Sequence, residues 1–144
     1  MKRSLFACAL CGALALGGCA SSGVIEARET DPSHRVTPVT MHWASREDGN
    51  DGVIWTMLAN GEQFRGKYVQ VTRTRMVEGW PWWNDWPESE AVTVYSGNVA
   101  ATLFGQRGEV MRCRFDLASP SDGLGAGGLG HCQVRGGPRL DAVL

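Results

Sequence analysis

From about residue 39 onward, apolar and polar residues alternate with a period of two, and no segment holds a 3.6-residue apolar stripe. The pattern predicts strands. Glu109 to Leu117 is the plainest case, with Met111, Cys113, Phe115 and Leu117 on one side and Arg112, Arg114 and Asp116 on the other. Strands begin near "VTMHW", Val39 to Trp43. In "VIWTMLANGEQFRGKYVQVT", Asn60-Gly61 suits a two-residue type I′ turn. That turn pairs Met57 with Phe64, Trp55 with Gly66 and Val53 with Tyr68. It gathers Val53, Trp55, Met57, Phe64 and Tyr68 on the inner face and leaves Thr56, Gln63, Arg65 and Lys67 outside. Glu90 to Phe104 reads as one strand bent at Ser96-Gly97-Asn98, and Gly105 to Gly108 as the turn into the next. A glycine-rich connection, "ASPSDGLGAGGLG", reads as a flexible hairpin loop. "PRLDAVL" forms the last strand, held by Leu140 and Val143 or by Ala142 and Leu144 according to its face.

Hairpin follows hairpin with no crossover helix. The expected fold is all-β, a small meander barrel or strongly curled antiparallel sheet of about six to seven strands. Two segments stand outside this pattern. Residues 20–38 are polar and poor in aromatic residues, and read as a flexible tether. "EGWPWWNDWP", Glu78 to Pro87, holds four of the six tryptophans. Pro81 and Pro87 deny it a ladder, so it is a connection between a strand ending near Val77 and one starting near Glu90. Its rings serve either as a plug over one end of the barrel or as an exposed contact for a glycan, a protein or a membrane.

The first residues change the picture. Lys2 and Arg3 precede an apolar run from Leu5 to Leu16, too short to span a bilayer and suited to a signal peptide. Leu16-Gly17-Gly18-Cys19 resembles a bacterial lipobox. The resemblance implies cleavage after residue 18, acylation of Cys19 as the covalent lipid, and attachment to an envelope membrane. Ala20 rather than Asp after the cysteine implies sorting to the outer membrane, on its periplasmic face. The domain plan is then a signal peptide at 1–18, a lipidated tether at 19–38 and a β-domain at 39–144.

Of five cysteines, Cys8 and Cys11 leave with the signal and Cys19 carries lipid, so Cys113 and Cys132 remain. In an oxidising compartment the pair reads as a disulfide. Placing them opposite each other sets Met111 against Val134 and Phe115 against Gly130, both sensible neighbours. The precursor has 14 basic and 15 acidic residues, and loss of Lys2 and Arg3 takes the mature chain to about −3, no nucleic-acid profile.

From Leu103 to Cys132 the chain reads L-F-G-x-x-G-x-x-M-x-C-x-F, then a glycine-rich loop, then G-L-G-H-C. Gly61 to Tyr68 reads G-E-x-F-x-G-x-Y. Together these resemble small proteobacterial outer-membrane lipoproteins of uncharacterised function. The resemblance implies a lipid-anchored β-domain and brings no activity with it.

Motifs for chemistry are few. Gly123, Gly125 and Gly128 match G-x-G-x-x-G but run into a strand instead of opening a helix. His34, His42 and His131 are scattered, without zinc spacing, and period-two alternation turns His131 away from Cys132. No G-x-S-x-G elbow occurs. Carboxylate pairs such as Glu88 with Glu90 or Asp48 with Asp51 read as solvated loop groups. The expectation is a non-catalytic binding or accessory module without metal or cofactor. Its candidate contacts are Trp80, Trp82, Trp83 and Trp86, and a basic outer stripe of Arg65, Lys67, Arg73, Arg75, Arg112 and Arg114, with Arg135 beyond it. An envelope protein, a glycan or an anionic lipid is the expected partner; the alternatives are a structural lipoprotein or a periplasmic hydrolase.

Overall fold

The alternation closes into a barrel of eight antiparallel strands. The computed structural model of the chain describes residues 20–46, 50–78 and 89–144, with side chains described outside 75–92. The strands are β1 (Ser22–Thr30), β2 (Val36–Ser45), β3 (Asp51–Met57), β4 (Gln63–Glu78), β5 (Ser89–Gly105), β6 (Val110–Leu117), β7 (Gly128–Val134) and β8 (Arg139–Val143). Each strand pairs with the next, and β8 returns to β1, so closure removes the exposed edges of an open sheet.

The count exceeds the expected six to seven because β1 lies in the segment read as a tether. Its alternation is masked by its inward side chains, which include small Ala27 and acidic Glu29 beside Ile25. Glu29 is buried, and its Oε2 accepts the Ala59 N–H at 2.7 Å. That bond lets a carboxylate occupy an inward position. The register of β1 with β2 runs unbroken from Ser22 against Ala44 to Thr30 against Val36.

The interior is filled by side chains from every strand. Ile25, Met41, Ile54, Phe64, Leu103, Phe115 and Leu140 are fully buried. Met111, Cys113 and Phe115 point inward as the alternation of β6 predicts, and Cys113 is bonded to Cys132 directly opposite it. Met111 faces Val134 and Phe115 faces Gly130, as expected. A Cβ on Gly130 would sit 2.2 Å from Phe115 Cδ1, so the phenyl ring occupies the space that a larger residue would fill. In β8 the inward residues are Leu140 and Ala142, while Val143 faces out.

The two ends of the barrel differ. One, the turn end, is closed by four tight connections with a shared hydrogen-bond pattern. Asp31, Leu58, Gly105 and Val134 each donate their N–H to the carbonyl four residues on. Three of these turns place the residue before that acceptor at positive φ, namely His34 (65°), Gly61 (82°) and Gly108 (91°). Glycine takes that conformation freely, whereas histidine is strained in it. His34→Gly is therefore expected to raise stability by about 0.5–1 kcal/mol, read as a higher urea midpoint at unchanged slope.

The three-residue loop at Ala59-Asn60-Gly61 corrects the expected hairpin. Leu58 N–H bonds Glu62 O, and Asn60 Oδ1 accepts the Glu62 N–H. Met57 then faces Gln63, Trp55 faces Arg65 and Ile54 faces Gly66. The slip of one residue turns β3 over. Ile54, Thr56 and Leu58 are buried, and Val53, Trp55 and Met57 lie outside. On β4 the inward faces of Phe64 and Tyr68 are as expected.

The other, terminal end receives Ser22 and Val143 and the connection between β6 and β7. That connection is no flexible loop. It forms a 3-10 segment, Pro120–Ala126, kinked at Gly123, that buries Leu124 and sets Gly125 against the Trp43 ring. Gln70 Nε2 donates to Pro120 O and fastens it to β4. Beyond this end β4 and β5 continue as an arm. After a bulge where Val71 meets Ser96 to Asn98, they pair from Thr72 with Tyr95 to Glu78 with Ser89. β3 reaches β4 only as far as Val69, and β6 reaches β5 only as far as Asn98, so the two arm strands have no other ladder partner among the described residues.

Candidate functional site

The corrected register of β3 builds an aromatic surface on the outer wall. His42, Trp55 and Arg65 stand directly opposite one another on β2, β3 and β4, and the next position on β5 is exposed Phe104. The imidazole stacks on the indole at 5.5 Å with 16° between planes, and Arg65 Cζ lies 5.7 Å from the indole centroid. Such a cation over a half-buried indole contributes about 0.5–1 kcal/mol. Beside it a groove of about 760 Å³ opens where β2 and β3 diverge, lined by Pro38, Thr40, Trp55, Met57, Ala59 and Arg65 among others. Pairing of these strands stops at Met41 with Thr56, and the Thr56 hydroxyl donates to the Thr40 carbonyl oxygen at 2.8 Å. The groove offers a flat ring for stacking and a guanidinium for hydrogen bonding. Sequence reasoning missed it because a two-residue turn would have put Trp55 inside.

The expected basic stripe is divided. Lys67 and Arg112 face outward and exposed on either side of Thr102, two strand spacings or about 10 Å apart. Arg114 lies one outward position further along β6 and faces His131. Arg65 is engaged with Trp55, Arg73 is exposed on the arm, and Arg135 is exposed in the turn after β7. A shallow cavity of about 270 Å³ lies between Arg112, Gln133, Arg135 and Val110. The Arg75 side chain, Trp80, Trp82, Trp83, Trp86 and Cys19 lie outside the described residues. His34 sits in the β1–β2 turn and not in a tether. Among the described residues no cluster of three or more His, Cys, Asp or Glu side chains is placed to hold a metal.

At the turn end a second polar cluster was not legible from spacing. Glu62 is buried, and its Oε2 accepts from Arg107 Nη2 at 2.7 Å. Arg107 Nε also lies 3.6 Å from Glu109 Oε1. Glu62 Oε1 and Glu109 Oε2 are buried without a hydrogen-bond donor. The Arg107 guanidinium holds the Glu62 carboxyl below its usual value against the opposing effect of burial. A lowered folded pKa means stability present above the ordinary carboxylate value of about 4.3 and lost as pH falls through the folded value. Arg107→Gln is thus expected to lower the urea midpoint at pH 7. The gap from the parent should shrink on acidification below about pH 4. A gap independent of pH would show that the clamp does not depend on Glu62 ionisation.

Comparison with protein-family models, with curated proteins and with solved structures finds no match to this chain.

Proposed function

We propose that this chain is a lipid-anchored, non-catalytic module of the cell envelope that contacts an envelope component or a protein partner through its β4–β5 arm. The arm is the observation that carries this reading. Its seven rungs, Thr72 with Tyr95 to Glu78 with Ser89, extend roughly 20 Å along the strands. A two-stranded ribbon alone is at best marginally stable in water, so a second surface against it supplies what the barrel does not. The connection it carries holds Trp80, Trp82, Trp83 and Trp86, the residue type most suited to a contact that is half apolar and half wet. The lipobox-like Leu16-Gly17-Gly18-Cys19 supports the anchor, and Ala20 supports the periplasmic face of the outer membrane as its place.

Two measurements test the reading. Cys19→Ala is expected to move the protein from the membrane to the soluble fraction; an unchanged distribution refutes the anchor. In that unlipidated form, acrylamide should readily quench a red-shifted tryptophan component. Trp82→Phe/Trp83→Phe should remove it while shifting stability by no more than about 0.5 kcal/mol. A blue-shifted, protected emission with lower stability in the double variant would make the segment core and leave a purely structural lipoprotein.

A further inference from the structure

We propose that the β7–β8–β1 wall at the terminal end of the barrel, across from the β4–β5 arm, rests on the lipid bilayer that holds its own anchor, seating Val24, Leu129 and Val143 at headgroup level. The inference rests on the anchored reading and identifies the contacted envelope component as the bilayer surface itself.

The distribution of exposed apolar side chains points there. Nine large ones stand exposed among the described residues, and six of these, Val24, Val69, Val71, Val94, Leu129 and Val143, belong to the terminal end or the base of the arm. All six are aliphatic. Three lie near one another over adjoining strands, between the outward carboxylates of Asp116 on β6 and Glu26 on β1. Leu129 on β7 lies directly opposite Val143 on β8, Val143 lies opposite Glu26 on β1, and Val24 is the neighbouring outward residue. They are 64, 59 and 58 % exposed, in a barrel whose interior already has its own apolar filling. An aliphatic patch of this kind on an outer wall marks a contact surface.

The occupant follows from the chain that precedes the patch. Cys19 comes three residues before Ser22, the first residue of β1, and a fully extended three-residue link reaches only about 10 Å. With no tether between them, a lipid on Cys19 holds this end of the barrel against the headgroups. Val24, Leu129 and Val143 lie within two residues of the strand ends at that rim, or about 7 Å. An interfacial element sinks about 5–10 Å into the headgroup and acyl boundary, so the depths agree. Charge does not select an anionic surface. Arg46 and Arg73 at this end are outnumbered by Asp51, Asp116, Asp122 and Glu26, and Arg46 Nε is 3.8 Å from Asp51 Oδ2. The contact is apolar in origin and suits a zwitterionic bilayer.

The test uses the full lipidated chain in phosphatidylcholine vesicles, with a nitroxide label on Leu129→Cys or Val143→Cys and a control label on Arg135→Cys at the turn end. Vesicle flotation reads the anchor separately. The expected result is flotation of all three proteins, with a several-fold fall in collision with a water-soluble nickel reagent at 129 and 143, none at 135, and no response to salt. The reference for each is the same label in the Cys19→Ala background. Failure to float removes the anchored reading and the docking with it. Flotation with equal water exposure at all three positions keeps the anchor and overturns the docking. Protection that appears only on phosphatidylglycerol and disappears in salt overturns it in favour of the arginines. Spin–spin broadening between copies assigns the patch to a second copy and also overturns it.

Discussion

Reducing the Cys113–Cys132 bond is expected to lower the stability of the barrel by about 3 kcal/mol. The bond closes a loop of 19 residues by sequence separation, and chain entropy alone gives that magnitude for a loop of this length. The loop contains the end of β6, the 3-10 segment that covers the terminal end, and the start of β7. Cutting it therefore releases the cover and the strand it leads into at once. Both cysteines point into the core and are essentially without exposure, so the thiols left behind gain no hydration in the folded state. Urea titrations with and without reductant measure the effect as a shift in midpoint. The Cys113→Ala/Cys132→Ala variant should match the reduced protein and ignore reductant, which separates loss of the cross-link from other effects of the reagent. Coincident midpoints for the oxidised and reduced parent would show that the cross-link constrains nothing the ladder does not already fix.

How far the sequence carried the fold depends on what each strand puts inside. β6 and β7 were legible to the register, because two cysteines that must meet leave one alignment and the neighbours on either side then agree with it. The strand ending near Val77 and the one starting near Glu90 were also legible, and they are paired as far as Glu78 and Ser89 in the described residues. β1 was hidden by its inward glutamate and alanine, whose burial depends on a loop amide 30 residues away. The cover at the terminal end was hidden for a related reason. Its glycines read as flexibility, while Gly123, at positive φ, kinks a segment whose Leu124 is buried, a tertiary placement that local pattern does not carry. The aromatic surface at Trp55 was lost with the register of β3, and the Glu62–Arg107 clamp joins residues 45 positions apart with no spacing to betray it.

That register error gives the second large effect. β3 is apolar on both faces, with Val53, Trp55 and Met57 on one and Ile54 and Leu58 on the other, so alternation cannot choose between them. Asn-Gly is compatible with a two-residue turn and with the three-residue loop that the chain adopts, and only the latter buries Ile54. Ile54→Ala is therefore expected to cost about 3 kcal/mol, the transfer term plus the cavity left in a core that is packed from all eight strands. Met57→Ser, three residues on, should stay within about 0.5 kcal/mol, because that side chain is 57 % exposed. The two-residue turn predicts the reverse order, with Met57 inside and Ile54 in solvent. Urea midpoints for the two variants decide it: a costly Met57→Ser beside a neutral Ile54→Ala would restore that turn and take the His42–Trp55–Arg65 surface off the outer wall. The order expected here keeps the indole outside, where a ligand can reach it.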